Sequence, residues 1–171
     1  ALTKIKDQAA PDAVINSWWD FGHWFKAIAD RRVTFDGATQ NTPMAHWIGE
    51  VLITDDVDTA MGTLRMLDCG SNTAFEVLDA HKRDVVASHE LIHRIVRVDK
   101  DEARRLLKED GVPDAAAENV LKFTHCVPPE NYFITSGDMV GKAGVWAHFG
   151  AWDFKRAFIY NTAQRVPRQE A

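Results

Sequence analysis

Three of the chain's six tryptophans fall within seven residues, in the stretch Ser17-Trp18-Trp19-Asp20-Phe21-Gly22-His23-Trp24. Adjacent side chains point to different faces of a helix or a strand, so no single regular element buries both Trp18 and Trp19 in one core. Read as plain structure, these are core indoles with Asp20 as a cap or turn residue ahead of an aromatic–Gly pair. Read as chemistry, a carboxylate beside two flat apolar rings makes a pocket wall. The rings grip a small aliphatic group, and the carboxylate accepts a hydrogen bond from a hydroxyl or amide.

The rest of the chain is patterned for short helices. Pro11-Asp12 opens a predicted helix carrying apolar residues to Ile28. Residues 31–44 read as a short extended piece followed by a polar loop. Further helices are expected over Met44–Leu52, over Asp58–Leu67 with Asp58 as cap, and over Thr73–Leu78 beyond a turn at Asp68-Cys69-Gly70-Ser71-Asn72. Asp84–Val98 and Asp101–Asp110 follow, the second closed by Gly111. Pro113-Asp114 starts another that runs to about Phe123. After Val127-Pro128-Pro129, Asn131–Thr135 reads as a strand. Ser136-Gly137-Asp138 then launches a last helix, followed by an aromatic segment to Tyr160. The expected fold is a mainly α, compact helical domain with one or two short strands, with α+β as the alternative, in a single domain over residues 1–171.

Bulk properties narrow the function classes. With 46% apolar and 26% charged residues, the chain can build a core without metal or disulfide staples. A net charge of −5 and the lack of any long Lys/Arg block argue against nucleic acid or an anionic membrane as partner. No apolar run approaches the ~20 residues that cross a bilayer. Cys69 and Cys126 are the only cysteines; they are able to pair, but two cysteines do not fix a redox compartment. Cys126 beside His125 is read as a buried thiol rather than a nucleophile.

Two further segments have chemical potential. His89-Glu90-Leu91-Ile92-His93 matches H-E-x-x-H, in which His at i and i+4 share a helix face and Glu acts as general base of a zinc hydrolase. Both His lie at the edge of the apolar face made by Val85, Ile92, Ile95 and Val96, which suits a structural role equally well. No third ligand follows in a recognisable pattern; Glu102, Glu109, Glu118 and His125 are merely downstream. In Ser136-Gly137-Asp138-Met139-Val140-Gly141-Lys142-Ala143-Gly144-Val145-Trp146, helical spacing puts Met139, Lys142 and Trp146 on one face and allows an Asp138–Lys142 ion pair. The structural alternative there is a first-turn Asp138, a solvated Lys142, and glycines for close packing.

Ser17-Trp18-Trp19-Asp20-Phe21-Gly22 resembles the Trp-Trp-Asp-Tyr-Gly signature of oligosaccharyltransferase catalytic subunits, with Phe21 in place of the usual Tyr. That family carries a second helical motif lining the same pocket. Its key residues are Asp and Lys at i, i+3 in one form; in another they are Met and Ile at that spacing, with an aliphatic or Trp four further on. Met139, Lys142 and Trp146 fit those spacings as a hybrid, with Asp138 one residue early. Ile134-Thr135-Ser136 and the segment Gly144 to Phe154 look like the archaeal branch. Roughly residues 55–125 match nothing in the family pattern.

The resemblance implies a C-terminal globular domain on the extracytoplasmic face of a cell-membrane enzyme that moves an oligosaccharide from a lipid carrier to Asn in Asn-x-Ser/Thr. It implies that Trp18, Trp19 and Asp20 bind the Ser/Thr hydroxyl and that Met139, Lys142 and Trp146 line the same pocket. The partners it implies are an acceptor polypeptide and, through a membrane part, a lipid-linked oligosaccharide. No cofactor or metal is expected in this chain; a divalent ion, Mn or Mg, is expected in the membrane part, which leaves this chain inert alone. The competing classes are a zinc hydrolase at His89, Glu90 and His93, and a non-enzymatic helical interaction domain with a Trp-rich surface.

Overall fold

In the computed structural model, which describes residues 1–165, helices dominate and three very short strands form one parallel sheet. The order is α1 (Leu2–Gln8), β1 (Val14–Asn16), α2 (Gly22–Trp24), β2 (Arg32–Val33), α3 (Met44–Ile53), α4 (Val57–Gly70), α5 (Thr73–Lys82) and α6 (Val85–Val96). Then come α7 (Lys100–Glu109), α8 (Asp114–Thr124), β3 (Asn131–Phe133), α9 (Gly137–Gly141), α10 (Ala143–Gly150) and α11 (Phe154–Arg165). Among the described residues, no helix is long and apolar enough to cross a membrane.

The helices from α4 to α8 form where the pattern placed them. Asp84 caps α6 by accepting from Ala87 N, and Asp99 caps α7 by accepting from Asp101 N and Glu102 N. Gly111 closes α7 in the left-handed region at φ 78°, with Val112 N bonding back to Leu107 O. The cap of α4 is Asp56 rather than Asp58: its carboxylate accepts from the amides of Asp58 and Thr59. Helix α4 also runs through Gly70, so the turn shrinks to Ser71 and Asn72. Leu78, Ile92, Ile95, Leu107, Val120 and Leu121 fill the core between these helices. Cys69, near the end of α4, is disulfide-bonded to Cys126, just past α8, with Cα atoms 6.0 Å apart. The buried-thiol reading of Cys126 is therefore replaced by a staple on the helical body.

The largest correction falls on residues 11–30. Val14, Ile15 and Asn16 are not helical but form the central strand, buried throughout, with β2 and β3 alongside it. Val14 pairs with Arg32 and Asn131; Ile15 pairs with Val33 and Tyr132. A strand flanked on both edges favours the β-branched pair Val14-Ile15, and that tertiary demand overrides the helix-start signal at Pro11-Asp12. Past the strand, a 3-10 turn over Trp19–Phe21 leads into α2 and a π turn over Phe25–Ala29, which Asp30 ends at φ 53°. The expected last helix is also divided: Lys142, at φ −103° and ψ 9°, separates α9 from α10. Helix α10 then packs on α3 at backbone contact. A Cβ on Gly49 would lie 2.5 Å from Trp146 O, and one on Gly150 would lie 2.5 Å from Gly49 O.

Candidate functional site

Strands β1 and β3 run parallel and adjacent, so the chain leaves both at the same edge of the sheet. Sites in parallel sheets form outside the carboxyl ends of the strands for this reason. Here the exit from β1 delivers Ser17 to Asp20, and the exit from β3 delivers Ile134 to Lys142. Ile134 N bonds Asn16 O at 2.9 Å, and the buried Ser17 hydroxyl donates to Ile134 O at 2.7 Å, pinning the two exits together.

Across this junction Lys142 Nζ donates to Asp20 Oδ1 at 2.5 Å and to Asp138 Oδ2 at 3.1 Å. The hydrogen bonds to Asp20, then to Asp138, raise Lys142 above its ordinary pKa and keep it cationic. The Ser136 hydroxyl first, then Lys142, hold Asp138 below the usual carboxylate range. The second oxygen of Asp20, Oδ2, is buried, and among the described residues it has no hydrogen-bond partner. A carboxylate oxygen accepts more than one hydrogen bond, so Asp20 has one oxygen held in place and a second, buried one whose acceptor capacity is unused among the described residues.

The two adjacent indoles separate as their positions require. Trp18 is 2% exposed in the main core, edge-on to Phe35 at 5.2 Å and 6.3 Å from Phe149. Trp19 is half-buried beside Asp20. Met139 is buried in the same core as Trp18, and the Trp146 indole N–H donates to Met139 O at 2.9 Å. The structure thus brings Asp20 and Lys142 into direct contact and sets Met139 and Trp146 behind Lys142. Ser17 is the contributor that had no assigned role; its place directly before the two indoles was the available signal. Gly22 has a packing reason: a Cβ there would sit 2.4 Å from Asp36 Cβ and 2.6 Å from Phe35 O.

The H-E-x-x-H segment lies elsewhere, on α6. Its Glu90 is exposed and faces Lys155 at 3.5 Å, outside the histidine cluster. His89 and His93 instead meet α3, where His46 and Glu50 lie one turn apart. His46 Nε2 and His89 Nε2 are 2.8 Å apart, and His93 Nε2 meets Glu50 Oε1. Burial first, then the neighbouring His46 and His93, pushes His89 down to about 3, so its imidazole is neutral at neutral pH. Burial likewise lowers His46, against the opposing influence of the Phe149 carbonyl and Glu50. A pocket of about 460 Å³ lined by His46, Trp47, Phe75, Val85, Trp152 and Phe154 adjoins this cluster.

Fold and site together define a mainly α domain that offers a positioned carboxylate at the exit of a small parallel sheet. No protein-family model matches the chain. In sequence it is 35% identical over 159 residues to the dolichyl-phosphooligosaccharide-protein glycotransferase of Methanocaldococcus jannaschii, and 34% identical over 160 residues to that of Methanococcus voltae. Each match takes in 90% of this chain and 17% of the relative. Over nine-tenths of its length the chain is therefore similar to one part of these archaeal glycotransferases, and it spans 17% of the length of the curated relatives it matches. In structure it is similar to the C-terminal domain of pglb from C. jejuni, with a TM-score of 0.49 and 14% identity over 87% of this chain and 51% of that one.

Proposed function

We propose that this chain is the C-terminal, acceptor-recognising domain of an oligosaccharyltransferase, a membrane enzyme that transfers an oligosaccharide from a dolichyl-phosphate-type carrier to Asn in Asn-x-Ser/Thr. The kinship to glycotransferases supports the reaction class. The observation that carries the recognition role is the Asp20 carboxylate, with Oδ1 held by Lys142 and Oδ2 buried and, among the described residues, without a partner. The Ser/Thr hydroxyl donates to Oδ2, and the indole N–H groups of Trp18 and Trp19 donate to the hydroxyl oxygen. A hydroxyl is both donor and acceptor, so Ala or Val at that position leaves the site's polar groups unpaired and is rejected. Met139 and the stem of Lys142 offer the apolar contact that prefers the Thr methyl, by up to ~1 kcal/mol. Trp146 supports that wall from behind.

In this reading the domain sits on the extracytoplasmic face and the lipid-linked oligosaccharide is held by a membrane part. That part also supplies the divalent ion, Mn or Mg, and the groups that activate the amide. The isolated chain then binds acceptor polypeptide but transfers nothing. The test is glycosylation of an Asn-x-Thr peptide by the full-length enzyme in membranes. Asp20→Ala removes a charged hydrogen-bond acceptor and should cut the rate by roughly 100-fold or more. Undiminished glycosylation by that variant overturns the reading.

A further inference from the structure

Two i, i+4 pairs face each other across the α3–α6 interface: His46 and Glu50 on α3, His89 and His93 on α6. The ligand atoms of His46, Glu50 and His89 all lie within 4.8 Å of one another. Glu50 is 8% exposed; its Oε1 is taken by His93, while Oε2 is buried and, among the described residues, meets no hydrogen-bond donor. A buried carboxylate within 4.8 Å of two imidazoles, with one oxygen unpartnered among the described residues, is costly unless something positive sits between them.

We infer that His46 Nε2, His89 Nε2 and Glu50 Oε2 form a transition-metal site of zinc type, with His93 holding the carboxylate from outside. Imidazole-rich ligands with one carboxylate suit zinc rather than magnesium or calcium. An ion at about 2.0–2.2 Å from each ligand spaces the three roughly 3.4 Å apart. The two rings part by about half an ångström and the carboxylate closes in, which side-chain rotation supplies. The outer shell is already in place. His46 Nδ1 donates to Phe149 O at 3.0 Å, which leaves Nε2 as the bare nitrogen that a metal needs. His93 orients Glu50. Trp47 stacks on His89 at 5.4 Å, and Phe154 covers His89 and His46 at 4.5 and 4.9 Å, walling the site with apolar rings.

From its sequence no metal is expected in this chain, and no zinc ligand follows His93 in a recognisable pattern; the partners of His89 come instead from α3, upstream. Glu90 stands outside the cluster, so the ion clamps helices and activates no water through that residue. The clamp joins α3 to α6 and, through Phe149 O, to α10, the helix that carries Trp146. It does not rest on the acceptor reading, because binding is measured on the chain itself without glycosylation.

The experiment strips the purified chain with chelator and titrates it with zinc, then with cobalt(II). One equivalent of zinc should bind and raise the melting temperature, and cobalt should give the intense visible bands of a four-coordinate site. Glu50→Gln should weaken zinc at least about 10-fold, and His93→Gln about 10- to 100-fold as an outer-shell loss. His89→Gln should abolish the cobalt bands. If His89→Gln fails to fold, the partly exposed His93 position and the unmodified chain still decide the matter. No binding of one equivalent overturns the proposal, as do six-coordinate cobalt bands or zinc affinity unchanged in Glu50→Gln and His93→Gln.

Discussion

The helical body from α4 to α8 and the sheet end of the molecule are held together in different ways. In the body, α4, α6 and α7 each begin at an Asp that bonds amides two or three residues on. At the sheet end the decisive bonds span most of the chain: Ala10 N to Glu130 across 120 residues, Ser17 to Ile134 across 117, and Lys142 to Asp20 across 122. The body's order is thus local and regular. The strands of the sheet end, two or three residues long, have no stability of their own and exist only once the chain has closed. The proposed acceptor site stands on the second kind of structure, so it depends on the body for its foundation.

The largest expected effect tests that dependence. The Cys69–Cys126 bond closes a loop 57 residues apart on the body, just before the chain returns to the sheet. Replacing both cysteines with Ser should cost about 4 kcal/mol of unfolding free energy by the loop-entropy argument. Denaturant unfolding followed by Trp fluorescence and by circular dichroism checks it. Coincident transitions at a lower midpoint would mean that both regions fold as one unit. Separated transitions, with fluorescence changing first, would make the sheet end an independent, weaker layer. A loss under 1 kcal/mol would show that the body does not need its staple.

A smaller effect, about 3 kcal/mol, is expected from Gly22→Ala. The new Cβ meets Asp36 Cβ at 2.4 Å and Phe35 O at 2.6 Å, and the backbone there cannot swing aside as a flexible side chain would. Gly141→Ala is the control: nothing lies within 4 Å of a Cβ at that site, so it should be neutral or gain up to about 1 kcal/mol. Equal melting temperatures for the two variants would remove close packing as the reason for glycine after Phe21.

These two regions were also unequally legible. The helices of the body could be read from apolar spacing and caps, because both signals are local; the errors there, Asp58 for Asp56 and a turn begun too early, are shifts of a few residues. Val14-Ile15-Asn16 could not be read as a strand, since its partners Arg32 and Asn131 lie far along the sequence. At the proposed acceptor site, Asp20 and Lys142 were legible only as two motifs; their contact comes from the parallel exits of β1 and β3. The histidine cluster was half legible. His89 and His93 stood out as a pattern, while His46 and Glu50, the same i, i+4 spacing on another helix, became meaningful only when α3 and α6 were seen packed together.

The smallest effect probes the seam between the two regions, where Asp68 on α4 accepts from Asn16 on β1 at 2.9 Å. Burial raises Asp68 to about 6, against the lowering influence of Asn16 and Arg32. Because the folded value lies above the unfolded one, near 4, this group's stabilising contribution is complete below about pH 4 and is lost as pH rises through 6. Two pH units correspond to at most about 3 kcal/mol. Asp68→Asn keeps the Oδ1 acceptor but puts an NH₂ where Oδ2 has no partner among the described residues, which offsets part of the gain. The variant should therefore be about 1 kcal/mol more stable than the parent at pH 7.5 and no more stable at pH 4. Stability curves over pH 4 to 8 for both chains give the answer directly. If the difference between them is flat, Asp68 is not the titrating group of the seam, and the junction between body and sheet end is insensitive to proton binding there.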